Sequence, residues 1–227
     1  MAFRPIVARL ALAAAALASL AVHGAPAGLL YDPEPPPNSA YVRVINATPK
    51  AMTEVSVDGR ARLRDLAAGD ASEYLVLPAG KRTLSIASAG SPANSLAVDV
   101  VAGRAVSIAF GAAGKPWIFE DKANTNLAKA VLAVYHLNAG AGPVDLLAAN
   151  GATKVVTGLQ PGTSQGLTVN PIKVDLSVVA AGGASPLASA GVAMQSGGTY
   201  SVLLFPGAHG EFTAKAIQNK VERYAGK

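Results

Sequence analysis

From Tyr41 onward the chain is written in short runs that alternate apolar and polar residues, with turn formers between them every 8 to 12 positions. Val55 and Val57 point one way while Glu54, Ser56 and Asp58 point the other, and Leu84 and Ile86 alternate with Thr83 and Ser85. Val174, Leu176 and Val178 alternate in the same way with Lys173, Asp175 and Ser177. A period of two buries one face of a strand and leaves the other wet. Short β-branched runs separated by regular turn signals are the pattern of a β-sandwich of about 100 residues.

The pattern occurs twice. The first copy opens with Tyr41-Val42-Arg43-Val44-Ile45-Asn46 and continues through Val57-Asp58-Gly59 and Leu66-Ala67-Ala68-Gly69. It then runs through Tyr74-Leu75-Val76-Leu77-Pro78 and Leu84 to Ala105-Val106-Ser107-Ile108-Ala109-Phe110. Some 92 to 94 residues downstream, Val134-Tyr135-His136-Leu137-Asn138 matches the opening and Asn150-Gly151 the first turn. Leu159-Gln160-Pro161-Gly162 repeats the Leu-x-x-Gly turn, and Thr199-Tyr200-Ser201-Val202-Leu203-Leu204 repeats the closing run. Self-similarity at a fixed offset is a statement about architecture. The expected fold is all-β, two tandem antiparallel β-sandwich domains related by internal duplication.

The segments outside the copies complete the expected organisation. Residues 1–24 read as a secretory signal peptide, with Arg4 and Arg9 ahead of the apolar stretch Leu10–Val22. That stretch of 13 residues is short of the roughly 20 a membrane span needs. Cleavage after Gly24 or Ala27 suits the small residues there, and the absence of a following Cys excludes a lipoprotein. Residues 25–39 form a Pro-rich lead-in, in which Pro33 and Pro35-Pro36-Pro37 favour extended polyproline II, either as a stiff spacer or as a docking segment. Residues 40–121 and 130–220 are the two sandwiches, 122–129 the linker and 221–227 a tail expected to fray.

Composition narrows the classes. With 51% hydrophobic and 15% charged residues the chain is not intrinsically disordered. No Cys occurs, which removes disulfides, thiol catalysis and Cys-ligated zinc. Without Arg4 and Arg9 the balance is 17 basic to 14 acidic groups, a net of +3. Arg60, Arg62 and Arg64 are the one basic cluster, either a solvated strand face or a weak attraction for an anionic polymer or membrane surface. Nucleic-acid binding calls for a larger basic stripe with stacking aromatics.

Catalytic patterns are weak. HExxH and HxH do not occur, the one GxSxG spelling, Gly162-Thr163-Ser164-Gln165-Gly166, falls on the turn that repeats Gly69-Asp70-Ala71-Ser72, and Gly182-Gly183 lacks the helix or Lys of a phosphate loop. Gly69-Asp70-Ala71-Ser72 faintly resembles the Gly-Asp-Ser opening of SGNH esterases, but Ala71 stands at the nucleophile position and no Asp-x-x-His follows. It reads as the turn before the Tyr74 strand. His136 is expected in a strand and His209 in a turn, neither with a partner at ligand spacing. No metal or cofactor is expected, and no catalytic residue. Trp117, the sole Trp, either packs at a sandwich edge or serves, with Tyr31, as a docking or sugar-stacking residue.

Leu29-Leu30-Tyr31-Asp32-Pro33, leading into Ser39-Ala40-Tyr41-Val42-Arg43-Val44-Ile45-Asn46-Ala47-Thr48, resembles the AlgF family of periplasmic alginate O-acetylation accessory proteins. Val131-Leu132-Ala133-Val134-Tyr135-His136-Leu137-Asn138, Val169-Asn170-Pro171-Ile172-Lys173-Val174 and Tyr200-Ser201-Val202 extend the likeness. The resemblance implies a periplasmic adaptor without acetyltransferase chemistry of its own, not membrane-spanning once the signal is removed. Its implied partners are a membrane-bound O-acyltransferase and periplasmic SGNH-type O-acetyltransferases, and the polymer is alginate or a related exopolysaccharide. The alternative is a secreted polysaccharide-binding or adhesion module with no part in acetylation. Nucleic acid is not an expected partner.

Overall fold

The computed structural model describes residues 34–88, 90–111, 115–148 and 151–225; the signal segment, Tyr31 and most of the lead-in lie outside them. The first half contains β1 (Ser39–Ala47), β2 (Met52–Val57), β3 (Arg60–Leu66), β4 (Asp70–Ala71), β5 (Leu75–Pro78), β6 (Gly80–Ser88), β7 (Ser91–Val100), β8 (Ala105–Gly111) and β9 (Trp117–Glu120). The second contains β10 (Ala130–His136), β11 (Val144–Ala148), β12 (Thr153–Leu159), β13 (Ser164–Val169), β14 (Lys173–Ala180), β15 (Pro186–Ala193), β16 (Thr199–Pro206) and β17 (Phe212–Gln218). No helix occurs among the described residues.

Each half is two sheets around one core. In the first, β4-β1-β8-β9, with β5 also on β1, faces β3-β2-β6-β7. In the second, β13-β10-β16-β17 faces β12-β11-β14-β15, so strand order repeats from half to half. Val42, Val44, Val55, Leu84 and Ile108 fill the first core; Leu132, Val134, Leu146, Leu176 and Val202 fill the second. The repeated Asn is buried in both halves, next to last in β1 and two residues past the end of β10. Asn46 donates to the Lys50 and Leu66 carbonyls and accepts from Thr48, while Asn138 accepts from the Gly140 N–H.

The pairing is not antiparallel throughout. β1 pairs parallel with β8, Val42 opposite Val106, and β10 pairs parallel with β16, Leu132 opposite Tyr200. After β5, antiparallel to β1, the chain passes through β6 and β7 of the other sheet. That two-strand detour brings β8 in along the direction of β1, the crossover a parallel pair requires.

Alternation also fails to leave the second face of the central strands wet. Every residue of β10 is buried, and all of β1 except Tyr41. Ile45, Ala47 and Ala109 from one half pack with Ala133, Tyr135, Leu137 and Leu203 from the other in a third apolar cluster. The sheets therefore stack in four layers, with the two containing β1 and β10 face to face in the middle. Residues 33–227 form one compact unit.

Two glycines set that contact reciprocally. Gly69, in the first Leu-x-x-Gly turn, has φ +68° and lies against Phe205 of the second half, where an added Cβ would stand 2.2 Å from the ring. Gly162, in the second such turn, has φ +74° and lies against Trp117 of the first half, with 2.7 Å left between a Cβ and the indole nitrogen. Only glycine meets both the left-handed backbone and the close approach. Gly69→Ala is expected to lower stability by about 1–3 kcal/mol in urea unfolding.

Asp145 braces the second half. Its buried carboxylate accepts from the Gly158 N–H at 2.8 Å and from the Gly182 N–H and Lys154 Nζ at 3.2 Å, where a bulge opens β11 against β12. The Gly158 and Gly182 amides foremost, then Lys154, hold its pKa below the ordinary carboxylate value. A depressed folded-state pKa contributes stability that is present above the unfolded value, about 3.9, and lost as pH falls through the folded one. Asp145→Asn is therefore expected to lower the urea midpoint at pH 7 and to flatten the loss of stability between pH 4 and pH 2, read from urea titrations across that range.

Candidate functional site

The third cluster surrounds a polar core. Arg43, on the face of β1 that meets the second half, has no solvent exposure. Its Nε donates to Ser107 Oγ at 2.6 Å, Nη1 to Asn219 Oδ1 at 2.6 Å and Nη2 to Ser201 Oγ at 2.8 Å. Ser107 comes from β8; Ser201 and Asn219 come from the other half. The guanidinium carbon lies 4.8 Å from the ring centre of Tyr74 and 5.3 Å from that of Tyr135, within cation–π range.

Asp121, the first residue past β9, supplies the negative charge. Its carboxylate accepts from Ser107 Oγ at 2.6 Å, from the Tyr74 hydroxyl at 2.8 Å and from the Tyr135 hydroxyl. Ser107 thus relays between guanidinium and carboxylate. Burial pushes both phenols up, Tyr135 to about 12, against the opposing pull of Arg43. Both phenols donate to the Asp121 carboxylate. A cavity of about 150 Å³ opens beside this cluster, lined by Tyr41, Asp121, Lys122 and Lys220 among others.

The three guanidinium nitrogens, both serine hydroxyls, both phenols and the Asp121 carboxylate bond within the knot. No buried side-chain nitrogen or oxygen among the described residues lacks a hydrogen-bond partner. Saturation of this kind cross-links the halves: removing one partner strands the others in a dry interface.

The residues singled out from sequence fall around this interface. Gly69-Asp70-Ala71-Ser72 is built into it: Gly69 seats Phe205, and Asp70 pairs with Lys215 of β17 at 3.0 Å. Ser72 Oγ donates to the Glu73 carbonyl and accepts from the Val44 N–H. Trp117 is half-buried against Gly111 and Gly162. His136 ends β10 fully buried, with Nε2 on the Gly142 carbonyl at 3.0 Å and its ring edge-on to Phe212; burial lowers its pKa. His209 is exposed in the β16–β17 turn. Ser72 and His136 are thus held in separate halves by local bonds. Tyr31 lies outside the described residues. No group of three or more His, Asp or Glu suited to a metal occurs among the described residues, and no helix there is long and apolar enough to cross a membrane.

Sequence reading missed Arg43, Tyr74, Ser107, Asp121, Ser201 and Asn219 as one site. A signal existed in the lone Arg within Val42-Arg43-Val44, and in Ser107 and Ser201, which stand opposite Arg43 and Ala133 on the central strands.

The family described as Alginate O-acetyl transferase AlgF matches residues 10–201, a span that takes in the first half and the second as far as the start of β16, and reaches every member of the knot except Asn219. The chain belongs to the AlgF family. Its relatives there include alginate biosynthesis protein AlgF of Pseudomonas aeruginosa, 31% identical over 74% of this chain and 72% of the relative. The AlgF of Pseudomonas putida is 28% identical over 71% of each chain, and that of Azotobacter vinelandii 29% identical over 66% of this chain and 64% of its own. Among solved structures, the C-terminal domain of P. aeruginosa AlgF is similar at 24% identity and a TM-score of 0.33, over 40% of this chain and 99% of that one. By its family, alginate biosynthesis and O-acetylation are the setting of this AlgF chain.

Replacing Arg43 by Met keeps the stem's packing but removes the charge that Asp121 and two serines are arranged around. Arg43→Met is expected to lose about 3–5 kcal/mol in urea unfolding.

Proposed function

We propose that this protein is a non-catalytic periplasmic adaptor required for O-acetylation of an exported exopolysaccharide, alginate or a related polymer. It would couple a membrane-bound O-acyltransferase to periplasmic SGNH-type O-acetyltransferases. One observation carries the reading: the buried polar cluster around Arg43 and Asp121 joins the two sandwiches. Its phenols donate to Asp121 and each guanidinium nitrogen has a partner, so its chemistry is that of a cross-link.

A cross-link serves a scaffold. Two sandwiches fixed face to face hold their outer sheets and edges at constant spacing, so a partner on one half is positioned relative to a partner on the other without the ordering cost a flexible tether incurs. The Ser72 hydroxyl, which a transferase would need free, is held by the Glu73 carbonyl and the Val44 N–H. Family membership supplies the pathway, and the signal-like leader the compartment.

Deleting the gene is expected to abolish acetyl ester on the exported polymer while polymer is still made, measured by NMR of the secreted material. The purified protein is expected to show no turnover of an acetyl ester. Undiminished acetylation in the deletion strain with direct polymer binding would establish the adhesion module instead, and ester turnover lost on Ser72→Ala would establish an enzyme.

A further inference from the structure

Beyond β17 the chain does not fray but returns to the first half, where the Lys220 carbonyl accepts from the Tyr74 N–H at 2.8 Å and Glu222 pairs with Arg62. The return forms one wall of the crevice beside the Arg43–Asp121 cluster, with Asn219, Lys220 and Val221 in its lining. In the cluster, Arg43 stands opposite Ser107, and Ser201 opposite Ala133. Two residues back on the same faces, Tyr41 stands opposite Ala105 and Thr199 opposite Val131. Short side chains at Ala105, Val131 and Ala133 leave a space of about 150 Å³ between the two sheets there.

The walls of this crevice are mostly apolar, and several donors at its surface are unused by the fold. Asn219 Oδ1 accepts from Arg43 and from Ser201, which fixes the amide's orientation, while its Nδ2 donates to no group among the described residues. Thr199 Oγ1, on the face of β16 that carries Ser201, is also unbonded among them. Lys122 and Lys220, exposed residues of the lining, have no ion-pair partner among the described residues. The Lys122 stem is seated on Gly166 of β13, where an added Cβ would stand 2.8 Å from the lysine Cβ. Asp121, the one carboxylate in the lining, accepts from Ser107, Tyr74 and Tyr135 and has Arg43 as its countercharge. Nearby Glu120 is paired with Arg104. The charge of the two ammonium groups is therefore left uncompensated.

We propose that this crevice binds a short-chain monocarboxylate, with the alkyl tail among Ala105, Val131 and Ala133 and the carboxylate on Asn219 Nδ2, the Thr199 hydroxyl and the two lysines. Size and polarity select that class. A dry apolar cavity of about 150 Å³ takes benzene, so the ligand is small. Apolar walls favour an alkyl tail over a bare inorganic anion, and ammonium and amide donors favour a carboxylate over a neutral amide. Acetate is the smallest carboxylate with such a tail. The biological sense of the site rests on the adaptor reading, in which the acetyl group is what the partners handle.

The test is a titration of the purified, isotope-labelled chain with sodium acetate at constant ionic strength, followed by NMR. Saturable shifts in the millimolar range are expected at the Ala133 and Thr199 backbone amides and at the Asn219 side-chain amide. Acetamide, the neutral isostere, and phosphate, which has no tail, are each expected to bind several-fold more weakly. Lys220→Ala, on an exposed side chain, is expected to weaken acetate binding roughly two- to fivefold. Thr199→Val, which keeps the shape and removes the hydroxyl, is expected to weaken it roughly two- to tenfold. Shifts that grow without saturating, shifts centred away from the crevice, acetamide or phosphate matching acetate, or an affinity unmoved by both substitutions would overturn the inference. The adaptor reading stands or falls separately, on polymer acetylation in the deletion strain.

Discussion

A guanidinium taken fully out of water needs compensation on every side, and meeting that need at Arg43 fixes the relation of the two halves. Its donors run out to Ser107, Ser201 and Asn219, its faces are covered by Tyr74 and Tyr135, and its countercharge sits one hydroxyl away on Asp121. Those partners come from strands of both sandwiches and from the segment between them. Sliding one sandwich over the other would strip Arg43 of Ser201, Asn219 and the Tyr135 face and leave two guanidinium nitrogens without partners in low dielectric, a costlier state than the loss of a few apolar contacts. The charge therefore specifies a single docking geometry, while the apolar cluster around it supplies the attraction.

The same constraint explains the composition of the central strands. Strands with one face on a sandwich core and the other on a second sheet must be apolar on both, which is why β10 carries no exposed residue. Small residues at Ala47, Ala109 and Ala133 let the two sheets approach, and Gly69 and Gly162 let Phe205 and Trp117 cap the edges of the contact. The C-terminal segment adds a further tie, from Asn219 at Arg43 to Glu222 at Arg62. The link between the halves is therefore distributed across strands, turns and chain end, and residues 122–129 are one strand of it only.

Local chemistry made much of this readable in advance. Alternation at Val55–Val57, Leu84–Ile86 and Leu176–Val178 located strands and their inward faces, since a strand side chain has two sides to choose from and apolar residues choose the core. Repetition of Asn46 and Asn138, and of Gly69 and Gly162, marked buried strand ends and left-handed turns, which few residue types can form. The closing resemblance to AlgF drew on the same positions, so family and fold were legible together.

What alternation does not encode is the partner of an outward face. Arg43 is one polar residue in an apolar strand, and nothing nearby in sequence states that it will meet Asn219, 176 positions away. Tyr74, Asp121 and Tyr135 are ordinary at their own positions and become one network only when two sheets stack. The sequence by itself determined the strands, the turns, the two cores and the family, because these follow from local backbone preference and from burial within one repeat. Tertiary structure alone decided the parallel pairings, the docking of the halves and the crevice beside Asp121, because each depends on contacts between segments far apart in the chain.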